Sequence, residues 1–113
     1  MPIRQEWLDQ VKEDVLAPDL PICDPHHHFW DRRDGRYMLD DLLDDARSGH
    51  NICSTVFVEC LSMYSKDASI SISPVGETEF VQGLAAQSAS GDYGEIRAAA
   101  GIVSFADLTL GKE

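Results

Sequence analysis

Leu20-Pro21-Ile22-Cys23-Asp24-Pro25-His26-His27-His28-Phe29-Trp30 is the stretch on which the reading of this 113-residue chain turns. Read as extended, Leu20 to Phe29 is the first strand. Its side chains alternate in direction, so Asp24, His26 and His28 share one face while Cys23, His27 and Phe29 take the other. Two imidazoles at i and i+2 suit a metal ion, because neutral imidazole is the commonest protein ligand and a divalent ion lowers the pKa of bound water. The competing reading is a hydrogen-bonded polar corner. Pro21 and Pro25 lack N–H donors and interrupt ladder pairing, so the parity around Pro25 is the weak point of the alternation.

Before this strand, Ile3, Trp7, Leu8, Val11, Val15 and Leu16 recur at helical spacing and Pro18 ends the pattern, which predicts an amphipathic helix over 4–16. Residues 1–19 then form an N-terminal helical extension. After a charged turn over 31–35, Tyr37, Leu39, Leu42, Leu43 and Ala46 mark a second helix stopped by Gly49. The acidic pairs Asp40-Asp41 and Asp44-Asp45 read as its solvated outer face rather than as metal ligands.

Cys53 to Cys60, with Val56, Phe57 and Val58, reads as a buried parallel strand. Glu59 falls at its C-terminal end and His50 before its start. Ser62 to Val75 reads as a long loop at the same mouth as Glu59, with Met63 and Tyr64 either lining a pocket or packing on the rim. Glu77 and Glu79 place acid in the first turn of a helix reaching about Ala89, a structural use of carboxylates. Arg97 to Phe105 closes the order as a third strand, with Asp107 poised as the N-cap of a following helix.

Four blocks, PICDPHHHFWD (21–31), SGHNICSTVFVEC (48–60), PVGETEFVQGLAA (74–86) and AAAGIVSFADLTLG (98–111), together resemble the N-terminal part of amidohydrolase family 2, whose members open on an Asp-x-His-x-His strand. The resemblance implies an α/β fold, a (β/α)8 TIM barrel, of which residues 20–113 would supply about three strand-helix units. A complete barrel takes about 250 residues, so the expectation is a fragment truncated at its C-terminal side. It also implies hydrolase chemistry of the sugar-lactone or pyrone-dicarboxylate lactonase branch, with a metal-dependent decarboxylase as the alternative within enzymes. On this resemblance His26 and His28 hold a zinc-like divalent ion or the substrate's polar groups. Asp24 orients a histidine, and Glu59 contacts metal, substrate or a ligand histidine. Lactonases of the family that work without a metal leave metal-independent catalysis open. The substrate expected is a small lactone or carboxylate.

Twenty acidic against nine basic residues give a formal charge of −11, which opposes binding to nucleic-acid phosphates or anionic membranes. The first residues lack a secretory signal and no run approaches ~18 apolar residues, so the expected location is cytoplasmic. Cys23, Cys53 and Cys60 are odd in number and form no C-x-x-C pair, which predicts reduced, mostly buried thiols. The rival reading in a different class is a small acidic metal-binding or interaction module, or an inactive truncation product, without turnover.

Overall fold

A computed structural model describes residues 4–111. A three-stranded parallel sheet carries the core, built from β1 (Pro21–His27), β4 (Asn51–Val58) and β5 (Arg97–Val103) in the order β1-β4-β5. Between β1 and β4 the chain inserts a small antiparallel hairpin of β2 (Trp30–Arg32) and β3 (Gly35–Tyr37), followed by a helix, α2 (Leu39–Ala46). A longer helix, α3 (Val75–Ala89), returns the chain to β5.

This architecture corrects the barrel expected from the resemblance. The described residues form an open sheet whose outer strands, β1 and β5, each have one neighbour, with a separate antiparallel hairpin beside it. Three parallel strands joined by helix-bearing crossovers satisfy the βαβ pattern of the sequence, but many open α/β sheets share that pattern. The charged segment expected as a turn over 31–35 is mostly hairpin. Arg32 and Gly35 pair across it.

The predicted helix over 4–16 shrinks to a single turn, α1 (Gln5–Leu8). Most of its apolar residues find nothing to cover: Trp7, Leu8, Val11 and Leu16 are all exposed and only Val15 is half-buried, and a short helix without a packed face is marginal in water. Ile3, where the helical spacing begins, lies outside the described residues. Asp107 does act as a cap, but of a 3-10 turn over Leu108–Leu110, accepting from the Thr109 N–H at 3.0 Å.

α2 forms where its apolar stripe says it should. Leu39, Leu42, Leu43 and Ala46 are all buried, the i, i+3, i+4, i+7 pattern of a helix laid on a core. The acidic pair at its start is used locally. Asp41 accepts from the Met38 N–H at 2.8 Å, and the Arg36 guanidinium forks between Asp40 and Asp41 at 2.8 and 2.6 Å.

Phe29, Phe57, Val81 and Ala98 join the α2 leucines in one cluster beneath the sheet. α3 is tied to β5 through Ser88, whose hydroxyl donates to the Ile96 carbonyl at 2.7 Å and accepts from the Ala98 N–H at 2.9 Å. No helix among the described residues is long and apolar enough to cross a membrane.

Candidate functional site at the carboxyl ends of the strands

β1 does not keep its alternation. Asp24 pairs with Thr55 and His27 with Phe57, so three steps on β1 match two on β4. This is a bulge centred on Pro25, whose missing N–H makes it a natural place to break the ladder. Asp24 stabilises the break by accepting from the His26 N–H at 3.1 Å. In consequence Asp24 and His27, not Asp24 and His26, line a common cavity of about 180 Å³ together with Tyr37, Leu42 and Thr55.

His26 and His28 nevertheless lie side by side. Their ring centroids are 5.0 Å apart and the rings are perpendicular. His26 is exposed and His28 half-buried. The Nδ1–H of His28 donates to the Val58 carbonyl at 2.7 Å, so its Nε2 carries the lone pair. A backbone carbonyl holding one ring nitrogen is the usual way a ligand histidine is oriented. Trp30 lies 6.0 Å from the His28 ring and carries the Arg32 guanidinium 5.8 Å above its own.

His27 turns into the core. It sits 4.8 Å from Phe29 and 6.0 Å from Phe57, centroid to centroid. Its Nε2 meets the Thr55 hydroxyl at 2.7 Å, and the same hydroxyl accepts from the Ala99 N–H at 2.8 Å. The Thr55 hydroxyl keeps a proton and a second lone pair for His27, so either partner can donate in that bond, while His27 Nδ1 is buried with no partner among the described residues. Burial pushes the His27 pKa down, against smaller upward pulls from the His28 backbone and the Asp24 charge.

Glu59 follows β4 at the same end of the sheet as the imidazole pair. Its N–H donates to the Val103 carbonyl at 2.9 Å, and its side chain is half-buried. Comparison with family models, curated proteins and solved structures yields no match to this chain. The site is therefore read from its own geometry.

A divalent ion can be tested against that geometry. Two adjacent imidazoles, one with its Nδ1 held by Val58, offer at most two of the four donors of a tetrahedral site. Among the described residues no group of three or more His, Cys, Asp or Glu side chains converges on one point. A catalytic zinc site normally uses three protein ligands and water, so here the remaining positions would fall to water and substrate oxygens.

Glu77 is the residue whose role the sequence concealed. Expected only as an acid favouring the dipole at a helix start, it is 3% exposed and clamps the segment after β4. Its carboxylate accepts from the Cys60 N–H at 3.1 Å and the Ser62 N–H at 2.6 Å. No sequence signal distinguishes it from Glu79. Beside it, a Cβ on Gly76 would lie 2.6 Å from the Met63 carbonyl oxygen and 2.7 Å from the Ser65 nitrogen, so only glycine lets α3 approach the loop this closely.

The remaining candidates fall elsewhere. His50 lies at the opposite, amino-terminal end of β4, lining a cavity with Asn51, Cys53 and Glu95. Cys23 and Cys53 are exposed, contrary to the expectation of burial, and only Cys60 is half-buried. Its thiol is pushed up to about 11 by burial first and then by the Glu77 charge. Tyr64 is half-buried, and its hydroxyl has no hydrogen-bond partner among the described residues.

Proposed function

We propose that the His26–His28 pair is the centre of a hydrolytic site that opens lactones or related carbonyl substrates by attack of an activated water. One observation carries the reading: the two rings stand 5.0 Å apart at the carboxyl end of a parallel sheet. Open α/β sheets take their ligands at that end. The four sequence blocks that resemble amidohydrolase family 2 support the same chemistry.

In this reading His28 presents Nε2 toward the reacting centre while Val58 fixes its ring, and His26 supplies the second nitrogen. A divalent ion bound there would supply a water of lowered pKa and polarise the carbonyl. Glu59, at the end of the neighbouring strand, holds the substrate's polar edge or takes a proton from the attacking water. Asp24 acts on the backbone: by holding the Pro25–His26 bulge it sets where the His26 ring stands. The protein's acidity suits neutral lactones better than polyanions.

The full chain would be assayed against a panel of sugar and aliphatic lactones, with metal content measured in parallel, beside His26→Ala and His28→Ala. Turnover of a lactone by the parent, lost in both variants, supports the reading. Rates unchanged in both variants remove these residues from the chemistry.

The adjacency of the two imidazoles would serve one other reading, a cation-binding module without turnover. Zinc or cobalt binding that depends on both histidines, with no hydrolysis of any lactone, would select it.

A further inference from the structure

Cys23 and Cys53 leave the same face of neighbouring strands. β1 and β4 run in step at their start, Pro21 against Asn51 and Ile22 against Ile52, and partners in a parallel pair point to the same side of the sheet. Ile22 and Ile52 are half-buried, whereas Pro21, Cys23, Asn51 and Cys53 are all exposed. Alternation therefore sends both cysteines out of the face opposite to the isoleucines. One step beyond the isoleucines sets Cys23 against Cys53. A register shift falls there, Cys23 pairing with Ser54, so Cys53 is the extra residue of a bulge facing Cys23.

Strand spacing fixes the reach. Neighbouring strands lie about 4.8 Å apart and successive residues about 3.3 Å, which puts the two Cα atoms about 5–6 Å from one another, within the span of about 4.4–6.8 Å that a disulfide bridges. The Cys53 thiol is only loosely engaged, 3.6 Å from the carbonyl and side-chain oxygens of Asn51. Cys60 is set apart from the pair. It is half-buried and its thiol donates to the Phe29 carbonyl at 3.5 Å. Burial and the Glu77 charge hold that thiol away from the thiolate form that exchange requires.

We infer that Cys23 and Cys53 are a modification site, a dithiol that closes to a disulfide across β1 and β4 by exchange with a low-molecular-weight disulfide such as oxidised glutathione. One protein thiolate attacks a sulfur of the oxidant, forms a mixed disulfide and expels one glutathione thiolate. The second attacks the protein sulfur of that mixed disulfide and expels the other. The two cysteines lose two protons and two electrons, and the oxidant leaves as two molecules of glutathione. The closed bond ties β1 to β4 one residue before Asp24, at the foot of the bulge that carries His26. It does not depend on the hydrolytic reading.

The native full chain would be equilibrated with oxidised and reduced glutathione, its remaining thiols alkylated, and the product digested with chymotrypsin, which cuts after Phe57 and separates Cys53 from Cys60. The expected product is a Cys23–Cys53 cross-linked peptide pair with Cys60 still reduced. Cys23→Ser and Cys53→Ser should each stop at the mixed disulfide, whereas Cys60→Ser should close the bond as the parent does. Because the fold brings the thiols together, the disulfide should form about 10-fold to 100-fold more favourably in the native chain than in urea.

A parent that carries glutathione on Cys23 and Cys53 without any cross-link overturns the inference. So does a cross-link through Cys60 or between two chains, or an equilibrium no more favourable in the native protein than in urea.

Discussion

His28 donates its Nδ1–H to the carbonyl of Val58, thirty residues further along the chain, at 2.7 Å. That bond fastens the imidazole pair to the strand from which the loop clamped by Glu77 departs. It also dictates a tautomer, because a carbonyl oxygen can only accept. At pH 8, two-bond ¹⁵N–¹H spectra should show His28 protonated at Nδ1. An Nε2-protonated ring would mean that the Val58 contact does not form and that His28 presents a donor, not a lone pair.

Removing the Glu77 carboxylate should be costly. Glu77→Ala leaves the part-buried Cys60 N–H and the buried Ser62 N–H without a partner, at about 1–3 kcal/mol each, so urea unfolding should report a loss of about 2–6 kcal/mol. Glu77→Gln keeps one acceptor oxygen and should lose less than half as much. Equal losses in the two variants would show that volume, not hydrogen bonding, is what Glu77 supplies.

Two glycines of α3 should respond with opposite signs to alanine. A Cβ on Gly83 meets nothing within 4 Å, so Gly83→Ala should stabilise by about 0.5–1 kcal/mol through helix propensity. Gly76→Ala drives a methyl against the backbone of Met63 and Ser65, and overpacking of about 1–3 kcal/mol should outweigh any helical gain. Thermal unfolding of both variants side by side checks the pair; a stabilised Gly76→Ala would mean that the loop is free to give way.

The buried His27 should make stability depend on pH. Burial holds its pKa below the ordinary value of 6.5, so the unfolded chain binds the proton more readily than the folded one. The contribution is complete above pH 6.5 and is lost as the pH falls through the depressed folded value. Urea midpoints should therefore drop between pH 7.5 and 5.5, and the drop should shrink in His27→Phe. A slope that this substitution leaves untouched would assign the effect to other groups. Thr55→Val, which strips His27 Nε2 and the Ala99 N–H of their common partner, should cost about 2–4 kcal/mol.

Much of the element order was legible, for reasons that particular residues make plain. Leu39, Leu42, Leu43 and Ala46 announce α2 because their spacing matches a helix and each is buried. Val56, Phe57 and Val58 announce β4 because an apolar run of that length suits a covered parallel strand. The 4–16 helix failed because periodicity states which face is apolar and not whether a partner exists to cover it. The barrel failed because strand-helix alternation does not specify closure, which depends on strand tilt and stagger across all the strands.

At the site, the adjacency of His26 and His28 followed from their spacing, but the place of Asp24 did not. A single bulge exchanges which residues share a face, and Pro25 signalled that a break was due without saying how many residues it would absorb. Glu77 was invisible for another reason. Its partners are backbone N–H groups seventeen and fifteen residues earlier, and backbone donors carry no sequence signature.

The two parallel pairings carry a kinetic consequence. β1 meets β4 only after an intervening stretch of about thirty residues has closed, and β4 meets β5 only after one longer still. Loop closure of that kind precedes any gain from the contacts it permits, which slows the search for the native arrangement. The two three-residue strands around the Arg32–Gly35 turn are the one strand pairing among the described residues that can form within a dozen residues. They are the natural place for refolding to begin, with the sheet assembling last.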